Sequence, residues 1–220
     1  MTASFLPIDL NTWPRKPYFD YFYYQLKTKY NVNHHLEITA LLNSIKKRQL
    51  KFYPTFLYLI TKTVNQNEAF RMAFDENGIL GLWNFLVPSY TIFHKDDKTF
   101  SDLWSPYYTG FNDFYTTILH DMEQYRDIKG IRVKAGRPAN FCPISALPWL
   151  SFTSISQDTY SDSDLLVPII RFGKYYQNME KTLLPFSIYV HHAVADGYHT
   201  SKFINELQDL CREIDDWIDS

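Results

Sequence analysis

The sequence predicts an α+β two-layer sandwich, helices packed on one face of a mixed, largely antiparallel sheet, from two periodicities and one corner. Residues 111–127 carry Phe111, Phe114, Tyr115, Ile118, Met122 and Tyr125 at helical spacing, whereas residues 69–83 and 90–104 change to a period of two around polar turns. Near the C-terminus an apolar segment, Leu183 to Val190, reads as a strand into the core. It is followed by Ile204, Leu207, Cys211, Ile214 and Ile218, whose steps of 3, 4, 3 and 4 fall on one helix face. Helices mixed with antiparallel hairpins in this way indicate helices layered on one sheet.

Taken in order, Pro14 and Pro17 bracket Arg15-Lys16, and Pro17 suits the first turn of a helix through Tyr24. Residues 33–39 are expected as a short strand. Residues 40–48 read as a helix ending in Lys46, Lys47 and Arg48, the favourable sign for a helix C-terminus. Pro54 belongs to the first turn of a helix carrying Phe56, Leu59, Ile60 and Val64. A hairpin follows, 69–74 and 79–83 around Asp75-Glu76-Asn77-Gly78, since Asn-Gly between apolar runs is a strong turn signal. A second joins 90–94 to 99–104 through Lys95-Asp96-Asp97-Lys98. Residues 141–155 and 165–176 are expected as strands, with 177–181 turning the chain into the C-terminal strand.

At 220 residues the chain is expected to form one domain over 1–220, or at most two tightly joined units. Hydrophobic content of 45%, with 17 Tyr and 17 Phe, is ample for a large core. The excess aromatics could serve core, subunit interface or ligand cavity. A net charge of −2 without basic runs argues against nucleic acid or an anionic membrane as partner. No basic segment precedes an apolar run at the start and no 18-residue apolar stretch occurs, so a soluble, cytoplasmic chain is expected. Two cysteines, Cys142 and Cys211, make neither a disulfide framework nor a metal motif.

The chemistry concentrates in the corner between the last strand and the last helix, His191-His192-Ala193-Val194-Ala195-Asp196-Gly197. A histidine titrates near neutrality, so it can take a proton from a hydroxyl and return it. Gly197 would tolerate positive φ at such a corner. On pattern alone, two histidines at a core edge and an aspartate capping the next helix fit equally well.

The flanks extend the pattern. The run HHAVADGYH followed by FINELQDL resembles the active-site signature of the chloramphenicol acetyltransferases, within the wider coenzyme A-dependent acyltransferases that share H-x-x-x-D-G. NTWPRKPYF, KFYPTFLYLITKTVNQ, FRMAF, YTIFHKDDKTFS, PISALPWLSF and PIIRFGKYY also resemble family blocks, in family order and spacing over nearly the whole chain.

The resemblance implies a trimer with each active site at a subunit interface, one side supplying the histidine. His192 matches the general base, which would take the proton of an acceptor hydroxyl as that oxygen attacks the thioester carbonyl of acetyl-CoA. His191 should point the other way and pack. Asp196 matches an aspartate paired with an arginine, here Arg15. Ser145 matches the serine that donates to the oxyanion, a contribution of about 3 kcal/mol. Tyr53, Trp149 and Tyr175 match positions near coenzyme A, and no Gly-rich phosphate loop is present. Tyr21, Phe22, Leu26, Thr91, Phe93 and Phe100 match the acceptor pocket, where aromatic walls suit a nitrophenyl ring with a chlorinated tail.

The chain also departs from the family. Arg171 stands where the resemblance implies a small Thr holding a water, and Gln157 and Leu165 replace an apolar residue and a tyrosine. Ala195 replaces a frequent Cys. The expectation is acetyl transfer from acetyl-CoA, as co-substrate, to chloramphenicol, with no permanently bound cofactor and no metal. Two other readings remain open. Arg171 would suit a different, possibly anionic, hydroxylated acceptor, and a non-catalytic binder of small aromatic molecules could share the scaffold.

Overall fold

The structure is a computed structural model, described over residues 1–157 and 164–219. In chain order the elements are β1 (Phe5–Pro7), α1 (Lys16–Asp20), β2 (Lys29–Glu37), α2 (Thr39–Lys47), α3 (Phe52–Gln66), β3 (Met72–Phe74), β4 (Leu80–Trp83) and β5 (Val87–Phe93). They continue with β6 (Phe100–Trp104), α4 (Phe111–Gln124), β7 (Phe141–Leu147), β8 (Ile169–Gly173), β9 (Tyr176–Asn178), β10 (Lys181–His191) and α5 (Gly197–Arg212). A large sheet runs β2-β10-β8-β7-β5-β6, with β9 also on β10; a small sheet runs β1-β4-β3.

In the large sheet β5, β7 and β8 are mutually parallel and the remaining pairings antiparallel, the mixed, largely antiparallel arrangement expected. A parallel pair needs a crossover; the chain leaves β5 through β6 and α4 before returning as β7.

The register gives the sheet two unlike faces. Val32, Ile188, Ile170, Ile144, Tyr90 and Leu103 lie in one row across all six strands. Their side chains share a face, because residues paired in a ladder point the same way. The helices cover it: Phe56 of α3 packs edge-on against Phe172 of β8, with centroids 4.9 Å apart, and Phe203 of α5 stacks on Phe186 of β10. One residue along, the row is Asn33, Ser187, Arg171 and Ser145, and its side chains rise from the opposite face. There Ser187 donates to Oδ1 of Asn31, while Asn33 and Asn31 bond the backbone of Ile155.

Several local expectations change. The helix expected through Tyr24 is α1 followed by a π-helical turn, Tyr21–Gln25. The strand expected over 33–39 starts earlier, since β10 offers pairing as far as Lys29. The strand expected over 141–155 stops at Leu147, where Leu150 bonds back to Leu147 and the chain turns across the polar face. The segment 165–176 holds β8 and only the start of β9. The C-terminal helix ends at Arg212, although Ile214 and Ile218 still reach the core through a short 3₁₀ turn. In the hairpin between β3 and β4, Gly78 takes φ of 74°, as its turn requires.

Because Ile188 is fully buried at the centre of the apolar row, Ile188→Ala should destabilise the protein by about 2–5 kcal/mol. Urea unfolding checks this; a loss under about 1 kcal/mol would mean the row is not the main contact between the layers.

Candidate active site

β10 carries the chain along the sheet centre to His191, and the next residues turn sharply into α5. The backbone N–H of His192 donates to the carbonyl of Thr28 at 3.0 Å, which ties the corner to the segment before β2. Asp196 is the N-cap of α5, its Oδ1 accepting from the Tyr198 N–H at 3.0 Å and from His199 Nδ1 at 2.8 Å. Its other oxygen, Oδ2, accepts from Arg15 Nη1 at 2.9 Å. Capping aspartate and ion-pairing aspartate are therefore the same residue. Arg15 and the His199 contact hold the Asp196 carboxyl at about 2, against the penalty of its partial burial. Gly197 opens α5 without positive φ, so the expected left-handed corner is not used; a Cβ there would meet open space.

The two histidines divide as their neighbours dictate. His191 is buried, and its Nδ1 accepts from the Ala193 N–H at 3.2 Å. Burial first, then Lys29 and His192, lower its pKa to about 4. The His192 ring stacks face to face on Phe22, with centroids 3.7 Å apart and planes 4° from parallel. Its Nδ1 is sealed without a hydrogen bond, which leaves Nε2 as the nitrogen open to an incoming molecule. Tyr30, unremarked in the sequence, contacts the same ring at 5.1 Å.

The expected site residues fall into two separate cavities. His192, Asp196, Arg15, Tyr21 and Phe22 line one, of about 490 Å³, together with Pro17 and Tyr18. Ser145, Thr91, Phe93, Phe100, Tyr53, Trp149 and Tyr175 line the other, of about 870 Å³. Leu26 is exposed and lines neither, and Arg171 lies buried on the polar face, outside both. Ladder register separates the two cavities further. Ser145 faces Arg171, which faces Ser187, and His192 lies five residues beyond Ser187, so the two Cα positions are roughly 20 Å apart by strand dimensions.

Within the larger cavity Tyr53 donates to the Thr91 carbonyl at 2.8 Å, which fixes its ring as a wall. Phe93 meets Trp149 edge-on at 4.6 Å. Sequence reading did not single out Phe52, Met122, Lys98, Arg126 or Lys174 as further lining residues. Phe52 and Lys174 adjoin residues it did name, whereas Met122 and Arg126 enter from α4 and its end, which nothing local signals. Gly173 backs onto the segment that carries Trp149: a Cβ there would lie 2.7 Å from the Leu150 carbonyl oxygen. Among the described residues no His, Cys, Asp and Glu cluster could hold a metal ion, and no helix is long and apolar enough to cross a membrane.

Comparison with known proteins adds three findings. A family model described as chloramphenicol acetyltransferase matches residues 3–208. A chloramphenicol acetyltransferase of Clostridium perfringens is 44% identical over 211 residues, 96% of each chain, and one of Clostridium butyricum is 42% identical over 217 residues, 99% of each. Among solved structures, a chloramphenicol acetyltransferase superposes with a TM-score of 0.81 at 22% identity, covering 96% of this chain and all of that one, a likeness of fold.

The sign of the His191 effect follows from its buried neutral form. Its pKa falls from 6.5 to about 4, so the unfolded chain binds the extra proton first, and stability is lost as pH drops from about 6.5 toward 4. In His191→Gln the melting temperature should fall less across that window than in the wild type. An identical fall in both would remove His191 from the acid response.

Proposed function

The chain belongs to the chloramphenicol acetyltransferase family, and on that premise we propose that it moves the acetyl group of acetyl-CoA to a hydroxyl of chloramphenicol, inactivating the antibiotic. His192 is the general base. With its hydrogen on the sealed Nδ1, the open Nε2 carries the lone pair that takes the acceptor's proton as the oxygen attacks the thioester carbon. Ser145 donates to the oxyanion that then forms; collapse of the adduct expels the thiolate of coenzyme A, which recovers the proton from the imidazolium. Asp196 and Arg15 touch neither partner and hold the corner in place.

Acetyl-CoA lies in the larger cavity, along Tyr53, Trp149 and Tyr175. Tyr21, Phe22, Leu26, Thr91, Phe93 and Phe100 contribute to the acceptor site. The observation that carries this reading is the separation of the base from the serine. About 20 Å is far beyond the reach of a proton transfer, whereas each cavity alone holds half the required chemistry. A second copy supplying its His192 to the serine-lined cavity completes the site. That requirement supports an assembly with active sites between copies, and the family resemblance points to a homotrimer of cytoplasmic subunits.

Thiol release from acetyl-CoA with and without chloramphenicol tests the reaction. His192→Ala should abolish chloramphenicol-dependent release, and Ser145→Ala should lower kcat by about 100-fold with little change in acceptor KM. Mixed assemblies of the two variants should regain activity, because about a quarter of their interfaces pair an intact His192 with an intact Ser145. Failure to regain any would place base and serine in one chain after all.

Gly173→Ala should push the Leu150 segment outward, raising the KM for acetyl-CoA with a smaller effect on kcat at saturation. An unchanged KM would move coenzyme A away from the Trp149 wall.

A further inference from the structure

His94 is a buried titratable group that this chemistry leaves unused. It follows the last residue of β5, is 3% exposed, and has both ring nitrogens in hydrogen bonds. Nδ1 lies 3.1 Å from the carbonyl oxygen of Arg126, just past α4, and Nε2 lies 2.8 Å from Oγ of Ser101 on β6. A carbonyl only accepts, so Nδ1 carries a hydrogen and donates it. Ser101, itself fully buried, also reaches the Ile128 carbonyl at 3.2 Å. The turn between β5 and β6 closes on the same residue: the His94 N–H donates to the Thr99 carbonyl, and the Lys98 N–H to the His94 carbonyl.

Each of these anchors adjoins a wall of the larger cavity. Phe93 precedes His94 and Phe100 precedes Ser101, and the two phenylalanines pair in register. Successive strand residues point to opposite faces, so Phe93 and Phe100 face the cavity while Ser101, with His94 bonded to it, turns the other way. Lys98 also lines the cavity from this hairpin, and Met122 and Arg126 line it from α4 and its end. The imidazole therefore stands behind the wall and sets how far the hairpin lies from α4. Lys129 crosses the same gap at the surface, pairing with Asp96 at 2.5 Å and Asp97 at 3.2 Å. Water and salt screen those exposed pairs, whereas the His94 bonds are sealed. The wall beside coenzyme A has supports of its own: Tyr53 donates to the Thr91 carbonyl, and the Lys174 N–H to the Leu150 carbonyl at 2.9 Å.

We propose that His94 is a positioning residue for the acceptor: by fixing the hairpin against the end of α4 it sets the width of the cavity at Phe93 and Phe100, and so the affinity for the acceptor rather than the rate of the chemical step. Its two bonds are unequal in this role. The Nδ1 bond spans from β5 to the segment after α4, whereas the Nε2 bond stays within the hairpin and holds the ring upright. Losing the first should weaken acceptor binding more than losing the second. This role rests on the reading of Phe93 and Phe100 as acceptor walls.

Two amides separate the bonds. In His94→Asn the amide nitrogen takes the place of Nδ1 and still donates to the Arg126 carbonyl; in His94→Gln it takes the place of Nε2 and reaches Ser101 only. Chloramphenicol binding is measured by calorimetry without acetyl-CoA, alongside steady-state kinetics and the melting temperature of each variant. His94→Gln should raise the Kd and KM for chloramphenicol about tenfold, the scale of one lost buried hydrogen bond, with kcat and the KM for acetyl-CoA within about twofold. His94→Asn should stay within about threefold of the wild type on every measure. Should the Gln variant not fold, Ser101→Ala carries the test: it removes only the ring's second anchor, and the acceptor KM should rise about threefold at unchanged kcat.

Equal behaviour of the two amides, a flat acceptor KM in Ser101→Ala, or a loss confined to kcat overturns the proposal. A His94 needed only for folding would lower the amount of active protein and leave KM alone. Binding weakened in His94→Gln but not in His94→Asn, from a wild type that transfers no acetyl group, would keep His94 as the positioning residue and sink the enzymatic reading. Transfer with the same acceptor KM in the wild type and both amide variants would do the reverse.

Discussion

The site depends on one carboxylate held from three directions. Asp196 receives the first turn of α5 through Tyr198, the His199 ring from the same helix, and Arg15 from 181 residues away. These contacts contribute little to stability: the cap is worth about 1 kcal/mol, and an ion pair this accessible contributes less. What they supply is position. The corner at His192 has β10 on one side and α5 on the other, and the carboxylate decides the angle between them. Arg15 adds the wall of aromatic residues that follows it, since α1 and the π-helical turn bring Phe22 onto the His192 ring.

The sheet then separates stability from chemistry. One row of side chains is continuous and apolar from β2 to β6 and is sealed under the helices. The neighbouring row is polar, and it holds Ser145 and Arg171 side by side. Because side chains alternate with a period of two, the residues of the polar row can change without touching the core, so long as the register holds. Arg171 at a position where the family resemblance implies a Thr is a change of this kind: large in charge and volume, yet confined to the face that does not pack against helices.

Much of this was legible in the sequence because it is local. The apolar run from Leu183 to Val190 identifies β10, and the spacing of Ile204, Leu207 and Cys211 identifies α5. What failed was set by distant contacts. Strand β7 ends at Leu147 although its apolar pattern continues, because the chain turns to cover the polar face and Lys174 bonds Leu150 there. β1 was not anticipated, as three residues pairing with β4 leave no periodicity to detect. The pairing of Arg15 with Asp196 could be read only through the family resemblance, since nothing near either residue signals it. The division of the site was likewise readable only through the resemblance, which puts the histidine on one side of a subunit interface; which residues go to which cavity was not. Tyr21 and Phe22 sit with His192, and Thr91, Phe93 and Phe100 with Ser145, although the resemblance groups all five in one pocket.

The stacked ring of His192 has a kinetic side. With Phe22 lying flat against one face and Nδ1 sealed, rotating the imidazole to exchange its two nitrogens would break the stack and expose a buried atom. In the proposed reaction the hydrogen on Nδ1 is thus stored out of circulation, and the proton traffic passes through a single opening at Nε2. A proton taken there can leave only by the way it came. The ring works as a one-door chamber: whatever delivers the proton must depart, or be transformed, before anything else can collect it.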